Sequence, residues 1–433
     1  MSALAPRPAT SKRLKHVVAL RHSRVDGVQD DRPYIGLENI ESSTGRLIGN
    51  PAATEQPAPS ATGDAKSLSN TFEPGDVLFG KLRPYLAKAW VAAFPGRCST
   101  ELLVMQPVET ESRFLRYACL SRDFIHAVDA STFGSKMPRA DWDFVGNMPI
   151  PVPQIPQQRA IADYLDRETA RLDALVAAKE RVLGLLAEKR RALIARAVTR
   201  GLDPRAPLRD SGIPWLGEIP AHWETWKLRH VSFVGNGSTP NRDNAAYWVE
   251  GAIPWLNSAV VNHEEVTASD QFVTATAQRE CHLPLVKPGS VLVGITGQGK
   301  TRGSAVVLSF EATINQHLAF ITPNAGVLNA WFLRWALFAA YDFLRSISDD
   351  AGGTKGALTC EAVAALHVPL PPLNDQRAIV AYVAVETIKL DALRAATERT
   401  IALLKERRAA LIAAAVTGKI CFVNEEASCT SPA

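Results

Sequence analysis

Apolar residues fall at helical spacing along two long stretches of the chain. From Gln157 to Arg200 there is no proline and only one glycine, Gly184. Leu172, Val176, Leu183, Leu186, Leu193 and Ala197 are separated by threes, fours and sevens, and Lys179 and Arg190 break the stripe. A second stretch carries Leu390, Ile401, Leu404, Leu411 and Ala415, broken by Arg394, Thr397 and Arg408. Such a seam, in segments rich in Ala, Leu, Arg, Glu and Lys, predicts two long helices. At 1.5 Å per residue each would reach roughly 65 Å. Two matching seams in one chain predict an antiparallel intramolecular coiled coil, with Leu172, Leu183, Leu186 and Leu193 packed against Leu390, Ile401, Leu404 and Leu411. The polar breaks would fix its register.

The remaining regions change period. Pro74-Gly75 and Pro288-Gly289 are turn signals that open apolar runs at Val77 to Phe79 and Val291 to Val293, and Ala305 to Ser309 reads as another strand. Phe114 to Val128 and Trp331 to Ser346 read as amphipathic helices. Asn50 to Ser60 and Gly235 to Asn244 are polar, Pro/Gly-rich loops. The fold class expected is mixed α/β, of the α+β kind.

The two helical stretches are copies of one another. Gln158 to Thr199 aligns with Gln376 to Thr417 at an offset of 218 without a gap, and 26 of 42 positions are identical. The prolines ahead of them align too, Pro151 and Pro153 with Pro369 and Pro371. Fainter matches run backwards: FEPGDVLFG from Phe72 with VKPGSVLVG from Val286, FLRY from Phe114 with FLRW from Phe332, and GSK at Gly134 with GGTK at Gly352. The period is far too long for a solenoid. The chain is a two-fold internal repeat, a divergent globular region and then a near-identical helix, twice over. Near-identity implies one job done twice, and divergence implies two different objects recognised.

Composition excludes several classes. With 433 residues, 46% hydrophobic and 21% charged, the chain is ordinary for a globular protein of several units. The six cysteines (Cys98, Cys119, Cys281, Cys360, Cys421, Cys429) show no metal-ligand spacing, so no structural zinc is expected and a reducing compartment fits. No apolar run has the length of a membrane span, and the start lacks the apolar core of a signal peptide, so a cytoplasmic location is expected. The net charge of +4 names no partner. Its distribution is more informative. The globular regions hold 18 basic against 16 acidic residues (1–155) and 12 against 15 (201–373), whereas the helices (156–200 and 374–417) hold 17 against 11. The basic excess lies on the helices.

Two chemical motifs are tempting. Gly294 to Thr301, GITGQGKT, matches a phosphate-loop pattern, but the mechanism needs a helix directly after it, and RGSAVVLSF reads as a strand. A glycine-rich hairpin is the expectation. Cys281-His282, with His222 and His317, shows no third group to orient a thiol–imidazole pair. No catalytic constellation is expected, and no catalytic or metal-ligating residue is assigned.

The layout as a whole resembles the specificity subunit of type I restriction–modification systems. The resemblance rests on PVPQIPQQRAIADYL leading into a helix that ends LIARAVTRG, and on PLPPLNDQRAIVAYV leading into one that ends LIAAAVTGKI. It is supported by PGDVLFGKLRPYLAKAW at Pro74, WETWKLRHVSFVGNGSTP at Trp223 and the lead-in from Asp203 to Trp223. One departure is the opening SKRLKHVVALRHSRV, which lacks the Trp-rich start of the second half and predicts a differently shaped first strand.

The resemblance implies a first target-recognition domain at 1–150, a spacer helix at 151–204, a second recognition domain at 205–368, a C-terminal helix at 369–420 and a disordered tail at 421–433. It implies a non-catalytic DNA reader of a bipartite asymmetric site in double-stranded DNA. Its partners would be two modification (methyltransferase) subunits and, through them, restriction subunits. S-adenosylmethionine, ATP and Mg would belong to those partners, with no cofactor bound by this chain. The alternatives are a coiled-coil adaptor with two non-DNA binding heads, or a phosphate-loop NTPase. On the DNA reading, Lys81, Arg83 and Lys88, beside Tyr85, face DNA from the first domain. Asn236, Ser238, Thr239, Asn241, Arg242, Lys300 and Arg302 face it from the second. Recurring polar residues that the helix seam does not need mark partner docking: Gln158, Arg159 and Tyr164, repeated as Gln376, Arg377 and Tyr382, together with Glu180 and Arg181, repeated as Glu398 and Arg399.

Overall fold

The computed structural model describes residues 10–26, 30–49, 68–297, 299–349 and 356–420. The loop expected at 50–60, the GGTK segment, Cys421, Cys429 and the tail at 421–433 fall wholly or largely outside the described residues. Two compact units divide the chain: residues 1–180 with 398–433, and residues 181–397. Each therefore holds one globular region with half of each long helix.

The first unit runs β1 (Ser11–Arg13), β2 (Val18–Leu20), β3 (Arg24–Asp26), β4 (Tyr34–Ile35), β5 (Leu68–Phe72), β6 (Val77–Gly80), β7 (Ala89–Val91), β8 (Gly96–Cys98), β9 (Leu102–Pro107), α1 (Ser112–Leu120), α2 (Arg122–Ala130), α3 (Trp142–Val145), β10 (Pro149–Pro151) and the long α4 (Ile155–Arg200). The second runs β11 (Leu208–Asp210), β12 (Glu218–Pro220), β13 (Glu224–Lys227), α5 (Leu228–Val231), β14 (Ser232–Asn236), α6 (Ala245–Trp248), β15 (Ile253–Leu256), β16 (Glu265–Val266), β17 (Phe272–Val273), α7 (Ala275–Glu280), β18 (Val291–Gly294), β19 (Ala305–Leu308), β20 (Thr313–Ile314), β21 (Leu318–Pro323), α8 (Ala330–Ala339), α9 (Tyr341–Asp349), α10 (Cys360–Ala365), β22 (His367–Leu370) and the long α11 (Leu373–Val416).

The repeat is visible strand by strand. The main sheet has the order β2-β9-β6-β7 in the first unit and β14-β21-β18-β19-β16 in the second. Both Pro-Gly turns place their glycine at positive φ, Gly75 at +89° and Gly289 at +80°, which favours glycine there. A short parallel pairing, β4 with β8 and β15 with β20, forms the second layer of each. β1 pairs with β10, and its counterpart β13 with β22, the strand that leads into each long helix. Leu14 N–H bonds Met148 O much as Leu228 N–H bonds Leu366 O. The first unit's atypical opening thus takes the ordinary place. This corrects the expectation of a different shape, because backbone pairing does not depend on the missing tryptophans.

Two helices expected as single elements are each broken. Ser121 turns extended between α1 and α2, and its hydroxyl donates to Ala118 O at 2.7 Å, so the helix stops there. Ala340 ends α8 in the same region of the second unit.

The long helices bury their ends. On α4 the buried positions are Gln158, Ile161, Ala162, Leu165, Thr169 and Leu172, then Ile194, Ala197 and Val198, with none between Leu172 and Ile194. On α11 the matching set is Gln376, Ile379, Val383, Thr387 and Leu390, then Ile412, Ala415 and Val416, with Ile401 and Arg408 also buried between them. Ile161 and Leu165 share a core with Ile412, Ala415 and Val416 in the first unit. Ile194, Ala197 and Val198 share one with Ile379 and Val383 in the second. Of the expected seam, Leu172, Leu390 and Ile401 are buried, whereas Leu183, Leu186, Leu193, Leu404 and Leu411 are half-exposed. The correction has a physical reason. The apolar stripes at the helix ends serve the domain cores, so burial is concentrated at the ends and no uniform seam runs between them.

Within the first unit the pairing is antiparallel, as Asp173 meets Arg408 (2.9 Å) and Glu180 meets Lys405 (3.5 Å). Within the second, Arg190 meets Asp391 (2.7 Å).

Candidate nucleic-acid interface

In the second unit, β14 ends at Asn236, opposite Ala319. Gly294 ends β18 opposite Leu318, and Ala305 begins β19 opposite Val293. Three connections therefore meet at one end of the sheet: Gly237–Asn244, the Ile295–Ser304 hairpin and the Asn315–His317 turn. Gly237 allows them to close up, since a Cβ there would lie 1.8 Å from Ile314 O. Ser238 N–H bonds Ile314 O at 3.0 Å, and the Trp255 indole N–H donates to Ser238 O at 3.1 Å.

The expected residues separate on this scaffold. Asn236, Asn241, Arg242 and Lys300 are exposed, and Ser238 and Thr239 are half-buried. Arg242 lies over the rings of Trp248 (4.1 Å) and Trp255 (4.7 Å) and donates to Gln271 Oε1 at 2.9 Å, which fixes its guanidinium. The Trp248 indole N–H donates to Asn241 O at 3.0 Å. Arg302 is a correction. It is 3% exposed and paired with Asp349 at 2.5 Å, so it braces the hairpin from inside. The phosphate-loop pattern is the β18–β19 hairpin as expected, and Thr301 leads through Gly303 into a strand, not a helix.

Sequence reasoning missed the Asn315–His317 turn as part of this surface. Thr239 Oγ1 donates to Gln316 Oε1, Gln316 Nε2 lies 3.5 Å from His317 Nε2, and His317 Nδ1 lies 2.8 Å from Thr296 Oγ1. The signal was present as an exposed Gln-His pair between two apolar strand runs.

In the first unit the equivalent hairpin carries Lys81, Arg83 and Tyr85. Arg83 is exposed, at φ +51°, and its side chain reaches Lys136 O at 3.5 Å. Tyr85 is 52% exposed. Lys81 is half-buried. Lys88 is a second correction: its ammonium donates to Leu37 O at 2.6 Å and burial pushes its pKa down, so it serves the loop beneath. Glu101 and Arg139 form an ion pair at the same end (3.0 Å).

The docking residues also separate. Gln158 is fully buried: its Oε1 accepts from Thr110 Oγ1 (2.9 Å) and Glu111 N–H (2.8 Å), and its Nε2 donates to Pro153 O (2.8 Å). Gln376 does the same with Asn329 N–H (2.8 Å), Val327 O (2.9 Å) and Pro371 O (2.8 Å). Both recur because each ties its long helix to the start of α1 or α8, which corrects their assignment to docking. Arg159, Arg377 and Tyr382 are exposed, as are Glu180, Arg181, Glu398 and Arg399, and Tyr164 packs beside the Ile161 core.

Among the described residues no group of three or more His, Cys, Asp or Glu could hold a metal, and no helix is long and apolar enough to cross a membrane. Cys98 and Cys119 are buried, and burial pushes the Cys98 thiol up to about 12, far from a nucleophile's range.

Residues 220–397 match the family described as the type I restriction modification DNA specificity domain. The match covers the second globular region and part of the long helix that follows it. Curated relatives include the MjaIX specificity subunit of Methanocaldococcus jannaschii, 27% identical over 168 residues, covering 38% of each chain. The EcoDI specificity subunit of Escherichia coli is 24% identical over 166 residues, 38% of this chain and 35% of that one. The chain thus spans less than two-fifths of the length of these relatives. Among solved structures, a chain from a study of complex assembly and conformational transition of the type I R-M system has a TM-score of 0.73 at 22% identity, covering 96% of this chain and all of that one. The HsdS subunit of Thermoanaerobacter tengcongensis has a TM-score of 0.54 at 22% identity, covering 96% and 98%. At 22% identity the likeness to these two structures is one of fold.

Proposed function

We propose that this chain reads a bipartite, asymmetric site in double-stranded DNA, one half per unit, and carries no catalysis of its own. The observation that carries the reading is the repeat. Equivalent hairpins and turns stand on equivalent sheets, yet bear different side chains: Lys81, Arg83 and Glu101 in one unit, Lys300, Gln316 and His317 in the other. Two divergent readers suit two different half-sites. Phosphate contacts would position each domain, and base-edge contacts would specify it.

The near-identical helices would dock two modification subunits, with Arg159, Tyr164, Arg377 and Tyr382 at equivalent positions, and restriction subunits would join through them. S-adenosylmethionine, ATP and Mg would be bound by those partners, in the cytoplasm. A salt titration of duplex binding tests the DNA reading. Replacing Lys81 and Arg83 together by Ala should weaken binding and flatten the salt slope by up to about 2. Unchanged affinity and slope would remove those residues from the interface.

A further inference from the structure

The turn from the last strand of the second layer into the main sheet, at β9 in one unit and β21 in the other, is built identically in both units. In the second, Asn315 N–H bonds Leu256 O (2.9 Å), His317 N–H bonds Asn315 Oδ1 (3.1 Å), Leu318 N–H bonds Asn315 O (3.3 Å), and Ile295 N–H bonds His317 O (3.0 Å). In the first, Ser99 N–H bonds Ile35 O (3.0 Å), Glu101 N–H bonds Ser99 Oγ (3.2 Å), Leu102 N–H bonds Ser99 O (3.0 Å), and Lys81 N–H bonds Glu101 O (3.0 Å). All four bonds correspond. The side chains held outward do not: Gln316 and His317 in one unit, Thr100 and Glu101 in the other. A rigid frame that repeats while its outward side chains change is suited to reading two different bases.

In the second unit the outward groups are oriented. Gln316 Nε2 lies 3.5 Å from His317 Nε2, and His317 Nδ1 is hydrogen-bonded with Thr296 Oγ1 at 2.8 Å. Thr239 Oγ1 donates to the carboxamide oxygen. Thr239 and His317 thus hold the carboxamide from two sides. Gln316 keeps one N–H and one oxygen lone pair free on an exposed edge, a donor beside an acceptor. That pair matches N7 and the exocyclic amine of adenine in the major groove.

We infer that Gln316 reads an adenine of the second unit's half-site through its carboxamide, with Thr239, Thr296 and His317 as positioning residues. The inference rests on the DNA reading above. It is tested with the full chain on a panel of duplexes in which each base pair of the preferred sequence is replaced in turn. Gln316→Ala should abolish discrimination at one A·T pair, roughly ten- to a hundredfold, and leave the other positions and the salt slope unchanged. Gln316→Glu, nearly isosteric, should shift the preference at that pair toward cytosine. A uniform loss at every position would make Gln316 a backbone contact and overturn the inference, as would an unaltered profile. A wild-type chain with no sequence preference would overturn the DNA reading and this inference with it.

Discussion

Arg408 donates from Nε to Asp173 at 2.9 Å, and the positions 218 residues away, Arg190 and Asp391, repeat the contact at 2.7 Å. The two pairs are copies, but their surroundings differ. Arg408 is 8% exposed and also donates to Ser43 O at 2.8 Å, whereas Asp391 is largely open to water. Breaking a buried pair strands a charge, while an exposed pair contributes little. Arg408→Ala should therefore cost about 3–5 kcal/mol and Arg190→Ala markedly less, by urea denaturation. Equal costs would show that burial does not separate the copies.

Arg116 and Arg334 form another equivalent pair with unequal partners. Arg116 meets Asp166 on α4 at 2.9 Å. The counterpart of Asp166 on α11 is Ala384; Arg334 lies over the Trp335 ring at 3.8 Å and meets Glu264 at 3.5 Å, with Nε and Nη1 lacking a hydrogen-bond partner. Burial lowers its pKa to about 10, so it remains charged at neutral pH, and the folded state bears a cost that fades only as pH rises through that value. Ala384→Asp should stabilise the second unit by about 1–3 kcal/mol, the worth of a charged hydrogen bond, and Asp166→Ala should destabilise the first. Thermal melts of the single variants check both signs.

Leu172 is 5% exposed and Leu186 is half-exposed. Leu172→Ala should cost about 2–5 kcal/mol. Leu186→Ala should cost well under that, because truncating it leaves no enclosed cavity. A larger loss for Leu186 would mean that the mid-helix seam carries the pairing.

Arg159 and Arg377 are a recurring pair exposed in both copies. Arg159→Glu should remove one modification subunit at limiting concentration, Arg377→Glu the other, and the double variant both, by mass measurement of the assembly. A complex still carrying two modification subunits in the double variant would move docking elsewhere.

The long helices were legible because identity and composition agree over more than forty positions, and the sheets because Pro-Gly turns frame short apolar runs. What the sequence did not show was which side of a recurring residue faces inward. Gln158 and Gln376 recur as polar residues and so resemble a surface, yet each satisfies three hydrogen bonds in a core. Arg302 was misplaced for the same reason, since it is buried against a partner, Asp349, that lies 47 residues away. Gln316 was missed because its orientation is set by Thr239 and His317, a neighbourhood that only the closed loops create.

The central claim is that each unit reads one half of a split site. The most direct measurement is a map of methylated adenines in a host carrying this chain with its modification and restriction subunits. The account predicts that every modified adenine lies in one motif of two short elements separated by a fixed gap, the half-sites about one helical turn apart, roughly 34 Å. A single continuous motif, or modification that does not depend on this chain, would contradict it.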